Sequence, residues 1–501
     1  MTKPLALVLA IPWILAPARE VPAQEIDLAG LDAEIEATRE AWRIPGLAVA
    51  IVKDDSILLA KGYGARDVGR PGPIDAETLF AIGSATKAFT AAAIGILVDE
   101  GRLGWDDRVA ERLPGFALHD PYASAEITIR DLLAHRSGLP MANLMWLGGQ
   151  LDREEMVRRL RYLEPATGFR AGFGYQNALY LTAGLIIQEV TGRTWDAFVT
   201  DRILRPLGME RTNTSVDSLA GLENVAAPHA RVDGEPRPVP YRDIDHVGPA
   251  GSIHSSAADM ARWLRFQLAG GVAEGRRLLE EATLAETHGP QIVLRRESIL
   301  ARLYPNTHVL AYGMGWLTSD YHGKLLLDHG GGIDGMTSLV GLLPEEGLGV
   351  ALLTNFQLPM PPYWLLYSII DRFLGQEPKD WSGEFQAMAQ ELDGSSEPER
   401  VPGTRPSLPI ERYAGTYENP PLGAAGIALE SSGLAFRYGT MEAALEHWHR
   451  DTFRADWRSA AWQAAAGPGW VTFRLDRKGE VAGLVLEAIP GEEWDFDRTT
   501  R

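Results

Sequence analysis

Two groups of strand-like segments, far apart along the chain, constrain this sequence more than any other feature. The stretch "PGLAVAIVKDDSILLAKGYG" (45–64) alternates apolar and polar residues around a Lys-Asp-Asp-Ser turn, the pattern of a β-hairpin. Much further on, "KLLLDHGGG" (324–332), "GMTSLVGLLP" (335–344) and "GLGVALLTN" (347–355) predict three more strands, the last two joined by a Glu-Glu-Gly turn. Helical periodicity fills the space between, at 84–100, 152–163, 179–191 and 256–268. Strands contributed by both flanks and helices from the middle predict an α+β domain over residues 27–376. Its core is one antiparallel sheet flanked by helices, with an inserted helical region.

The texture changes after about residue 375. Residues 377–408 are rich in polar residues, Gly and Pro and read as a linker. Beyond them "RYAGTYENP", "GIALESSGLAFRYG", "WHRDTFRADW" and "GWVTFRLDRKGEVAGLVLEA" alternate like short strands between Gly-containing turns, which predicts a small all-β meander or barrel over 409–501. At the other end, Met1-Thr2-Lys3 is followed by the apolar "PLALVLAIPWILA" and by small-residue sites at 16–18 and 21–23. This is the pattern of a cleavable signal peptide over 1–23, and the apolar run falls short of the ~20 residues a membrane span requires. The expectation is an exported protein, periplasmic or extracellular, with no integral membrane span once the signal is removed.

A formal charge of −19 argues against nucleic acid as a partner, since phosphate backbones would be repelled. The absence of cysteine excludes disulfides and thiolate metal sites. Asp106 and Asp107 are expected to cap a helix, and His135 and Arg136 to belong to a structural loop. The two histidines of "HWHRD" (447–451) share a strand face without further ligands, so no metal site is expected there.

The residue that points to chemistry is Lys87. The chain carries forty-one arginines and only seven lysines, and Lys87 alone among the lysines follows a serine by three positions. Residues i and i+3 share a helix face, so the Ser84 hydroxyl and the Lys87 amine can meet in the first turn of the 84–100 helix. A serine hydroxyl needs a base to become a nucleophile, and a desolvated lysine can supply one, whereas arginine holds its proton. A Tyr-x-Asn pair would add a phenol and an amide, and it occurs at Tyr175, Tyr304 and Tyr417. Only the first follows a Gly-rich stretch, "TGFRAGFG", and opens a helix, so Tyr175 and Asn177 are the candidates; Tyr304 reads as a turn before Pro305. In "LLLDHGGGIDGM", His329 ends an apolar strand, and Gly330, Gly331 and Gly332 would let a substrate approach the backbone closely.

Together these elements resemble the serine β-lactamase and penicillin-binding-protein superfamily, especially its class C β-lactamase, D-aminopeptidase, D,D-carboxypeptidase and esterase branch. The likeness covers about residues 30 to 375 and extends to "LLAHRSGLP" (132–140), "PLGMERT" (206–212) and "GPAGSIHSSAADMARWL" (248–264). It implies Ser84 as nucleophile, Lys87 as its base, Tyr175 as proton relay and Asn177 as the group orienting Lys87 and a substrate amide. The N–H groups of Ser84 and Gly332 would form the oxyanion hole, with Gly330 and Gly331 binding substrate. His329 stands where many relatives have the lysine of a Lys-Thr-Gly motif. A lysine there suits a carboxylate, so its replacement shifts the expectation from penicillin hydrolysis toward peptide or ester acyl transfer. The resemblance implies no cofactor and no metal, and a small-molecule or peptide substrate, probing as D-peptide, ester or β-lactam. A β-lactamase and an inert penicillin-binding or peptidoglycan-sensing protein are the rival readings, and a homo-oligomer stays open. The terminal module resembles the small lipocalin-like domains that follow this catalytic domain in some D-amino-acid peptidases.

Overall fold

The computed structural model describes residues 27–70, 72–295, 299–392 and 397–499, and the expected signal peptide lies outside the described residues. The strand Gly46–Lys53 shows why both flanks of the chain are needed. It pairs antiparallel with Ser56–Gly64 on one side and with Leu348–Thr354 on the other, the latter in register from Leu47 opposite Thr354 to Lys53 opposite Leu348. The sheet continues through Met336–Leu343, Lys324–Ile333, Leu317–Tyr321 and Leu310–Tyr312 to Ile292–Val293, eight antiparallel strands in all.

Side-chain alternation along Gly46–Lys53 divides two cores. Ala48, Ala50 and Val52 pack with Phe89 and Leu264 on one face. Leu47, Val49 and Ile51 pack on the other with Leu31, Ile35 and Leu366, from the helices Leu28–Ala41 and Tyr363–Phe373. A strand covered on both faces has no reason to carry polar residues, and "GLAVAIV" has none. The helix Thr86–Asp99 is buried on all sides, so its apolar residues do not form a single stripe. Burial of side chains such as Phe89, Ile94 and Leu97 contributes roughly 1.5–3 kcal/mol each, which is what holds Lys87 in the interior with them.

Two expectations are corrected. The supposed linker contains the helix Trp381–Leu392, whose Trp381, Phe385 and Met388 recur at helical spacing and enter the second core. Trp381 Nε1–H also donates to Asp371 Oδ2 at 2.7 Å. Neither Asp106 nor Asp107 caps a helix: Asp107 accepts from the Gly104 N–H at 2.8 Å, and Asp106 pairs with Arg130 at 2.8 Å.

The C-terminal strands, from Gly415–Asn419 to Glu492–Arg498, form a closed eight-stranded antiparallel barrel. Its inside is filled by rings, among them Tyr413, Phe453 and Phe473 with centroids 4.7–5.7 Å apart. The barrel is a packed body of the size at which side chains fill the lumen. It rests on the first domain: Thr440 N–H donates to Gly148 O at 2.9 Å, and Gln150 Nε2–H to Leu422 O at 2.7 Å.

Candidate active site

Ser84 lies in a single 3₁₀ turn, Gly83–Ala85, that runs into the buried helix. Gly83 makes the turn possible, because its φ of 51° is unfavourable for other residues and a Cβ there would sit 2.6 Å from Gly332 N. One helical turn on, Lys87 Nζ lies 3.0 Å from Ser84 Oγ, 2.8 Å from Asn177 Oδ1 and 2.8 Å from Ala250 O. Lys87 is fully buried, and burial drives its pKa well below the ordinary amine range. The uncharged amine fits its surroundings. An uncharged amine can donate its two N–H bonds to the Asn177 and Ala250 oxygens, which leaves its lone pair for the Ser84 hydroxyl.

Tyr175 O–H donates to Ser84 Oγ at 2.8 Å from the opposite side. Burial raises its pKa, so it remains a phenol able to give a proton. Tyr175 precedes the helix Asn177–Thr191, which Gln176 caps by accepting from the Ala178 N–H at 3.1 Å, so one helix start sets both side chains. His135, expected in a structural loop, lies beneath them. Its ring centroid is 4.4 Å from that of Tyr175, and its Nδ1 accepts from the Gln176 N–H at 3.1 Å. Burial pulls its pKa well down, followed by the effects of Lys87 and His329.

The strand Lys324–Ile333 brings the glycines against the serine turn. A Cβ on Gly331 would fall 1.9 Å from Ile82 O, an approach only glycine permits. His329 accepts from Tyr312 O–H at Nε2 (2.9 Å), and its Nδ1 lies 2.7 Å from Gly330 O. Since a carbonyl only accepts, Nδ1 carries the proton and the ring is neutral. Burial, then the neighbouring Lys87, pulls its pKa down to about 3. The structure therefore brings Ser84, Lys87, Tyr175, Asn177, His329 and Gly330–Gly332 together around one opening. Tyr417 is a barrel residue. Tyr304, expected only to form a turn, is a buried wall residue whose O–H donates to Asp328 at 2.9 Å.

Tyr312, the Ala250 carbonyl and Trp146 were not anticipated. Tyr312 is brought to His329 by sheet register, and a carbonyl acceptor leaves no mark in a sequence. The main cavity beside Ser84 is about 590 Å³ and its walls are mostly apolar, including Phe173, Leu294, Leu300, Leu358 and Met360. A second chamber of about 210 Å³ lies on the other side, walled by Asn143, Ile244 and Val247, and Met141 and Trp146 border both. Among the described lining residues the only charged side chain is Asp334, which is paired with Arg242 at 2.5 Å. Chemically, the arrangement holds a hydroxyl between an uncharged amine and an un-ionised phenol, beside free backbone and an apolar groove.

Residues 31–363 match the family described as Beta-lactamase, and residues 399–500 match a domain of unknown function. The chain is 30% identical over 435 residues to the unguisins hydrolase ungD of Aspergillus violaceofuscus, covering 80% of this chain and 76% of that one. It is 30% identical over 335 residues to penicillin-binding protein 4 of Amycolatopsis lactamdurans, covering 66% of this chain and 85% of the other. An octameric penicillin-binding protein homologue from Pyrococcus abyssi shares the fold with a TM-score of 0.61 at 22% identity, over 94% of this chain and all of the other.

Proposed function

Since the chain belongs to the Beta-lactamase family of serine hydrolases and penicillin-binding proteins, we propose that it is a serine acyl-hydrolase that forms an acyl-enzyme on Ser84 and prefers substrates without a free carboxylate. The observation that carries the reaction is the buried Lys87 amine 3.0 Å from Ser84 Oγ, where desolvation lowers its pKa and favours the uncharged form. Lys87 takes the hydroxyl proton as Ser84 attacks the carbonyl carbon. The N–H groups of Ser84 and Gly332 receive the developing oxyanion. Tyr175 gives its proton to the leaving nitrogen or oxygen and is reprotonated from Lys87, and Asn177 holds Lys87 and the substrate amide in line. Water then enters by the same route in reverse and releases the acyl group.

The substrate preference rests on charge. His329 is neutral, and no unpaired cation lines the cleft among the described residues, so a carboxylate would lose its hydration without a partner. That favours esters and blocked or internally linked peptide amides, D-amino-acid-containing ones among them, and disfavours β-lactams and free peptide C-termini. A relative named as a hydrolase and another named as a penicillin-binding protein support acyl transfer at this site.

Matched peptides ending in an amide or a free acid test this reading, with nitrocefin alongside. The amide is expected to be favoured in kcat/KM by at least ~10-fold, the scale of one unpaired buried polar group. Ser84→Ala is expected to abolish both turnover and covalent labelling by a fluorophosphonate, with its melting curve unchanged. Equal rates on acid and amide would overturn the preference, and normal turnover by Ser84→Ala would overturn the mechanism.

A further inference from the structure

The C-terminal barrel reaches the wall of the cleft through one carboxylate. Glu492, at the start of the last barrel strand, accepts from Asn143 N–H at 3.1 Å and from Asn143 Nδ2–H at 2.8 Å. Burial raises the Glu492 pKa, while the bonds from Asn143 lower it. A carboxylate can only accept, so it fixes which way the Asn143 amide faces: the NH₂ toward the barrel, the oxygen away from it. That oxygen accepts from the Trp146 Nε1–H at 3.2 Å, and Trp146 borders both chambers beside Ser84. The Trp146 backbone is held as well, where His246 Nε2–H donates to Trp146 O at 2.7 Å. The same segment is gripped elsewhere by the barrel: Tyr438 O–H donates to Leu144 O at 3.3 Å, and Thr440 N–H to Gly148 O at 2.9 Å.

A second contact links the C-terminal domain to the lining of the main cavity. Arg242 lies 4.3 Å from the Trp462 ring of the barrel, donates to Leu147 O at 3.2 Å and pairs with Asp334, which lines the main cavity.

We propose that Glu492 is a positioning residue by which the barrel, acting through Asn143, sets Trp146 and thereby the width of the substrate cleft. This rests on the reading of Ser84 as the acylated residue. The barrel then determines which acyl groups fit without touching the reacting atoms. A relay of this kind acts on binding of large groups and leaves the Ser84, Lys87 and Tyr175 chemistry alone.

The test compares p-nitrophenyl acetate with p-nitrophenyl octanoate on the full chain. Glu492→Ala is expected to raise KM for the octanoate by at least ~5-fold with kcat held, while kcat/KM for the acetate stays within ~2-fold, the signature of lost ground-state binding. Glu492→Gln keeps one acceptor oxygen and is expected to fall between the wild type and Glu492→Ala. Equal loss on both esters, an unchanged octanoate KM, or a Gln variant identical to the Ala variant would each overturn the proposal. Hydrogen exchange over residues 141–148 gives a readout free of turnover. It is expected to rise in Glu492→Ala while the 324–333 strand stays protected, and unchanged exchange would overturn the strut. Ester hydrolysis that persists in Ser84→Ala would instead count against the assigned nucleophile, and the exchange result would still decide the role of Glu492.

Discussion

Among the described residues no carboxylate bonds Lys87; its hydrogen-bond neighbours are a hydroxyl, an amide oxygen and a backbone carbonyl. Ionising it there would bury a charge against dipoles alone, which is costly enough that the amine sheds its proton instead. Lys87→Arg keeps a cation that cannot act as a base, and kcat is expected to fall by at least ~10²-fold, the usual share of general-base help. In the proposed mechanism the working form of Lys87 is the unprotonated one, so kcat/KM should hold above its depressed pKa and fall as pH drops through it. His329, which burial holds neutral down to about 3, is not the group assigned to that limb. His329→Asn is therefore expected to lower the rate without moving the midpoint of the acid limb, as a pH–rate series would show. The pair Ser84 and Lys87 was legible because helical spacing puts i and i+3 together, and Tyr175 because a glycine-rich stretch and a helix start surround it. Tyr312 was not legible, because sheet register brings it to His329: Tyr312 lies opposite Leu317, and Leu317 opposite Asp328.

The strand Lys324–Ile333 does two jobs along its length, and its sequence divides accordingly. Its first half, Lys324–Asp328, pairs with Leu317–Tyr321, and its glycine half, which pairs only with Met336–Leu343, turns its other edge to the serine turn. Gly331→Ala would push a methyl group into Ile82 O, and Ser338 Oγ–H already holds that carbonyl at 2.7 Å. Activity is expected to drop by more than ~10-fold with a stability loss of about 2 kcal/mol, read from the urea midpoint, as for other backbone collisions in a packed site. Apolar runs bounded by turn residues were readable as strands, including the hairpin and the last three strands of the sheet in chain order. Ile292–Val293 and Leu310–Tyr312 are too short to show a period, and exist because neighbouring strands pair with them. The helix Trp381–Leu392 was hidden by a polar composition, since its buried positions Trp381, Phe385 and Met388 are spaced among polar ones.

Net charge acts on the molecule as a whole. At −19 the protein repels anions before they reach a cleft that offers them no cation, so two effects of one sign combine. Raising ionic strength screens the first and leaves the second. For a carboxylate-bearing substrate kcat/KM is expected to rise by ~2–10-fold between low and high salt, and for a neutral ester to stay flat, as steered or opposed encounters do. The pairing of Gly46–Lys53 with Leu348–Thr354 also bears on how the molecule is made. The first hairpin leaves the ribosome with one flank of its apolar inner strand uncovered, and its partner is among the last pieces of the domain to be synthesised. Until then nothing can finish the sheet, and the hairpin is exposed to other chains doing the same. Assembly of the catalytic domain is thus timed by its far end, and the Ser84 helix cannot be enclosed before residue 354 arrives.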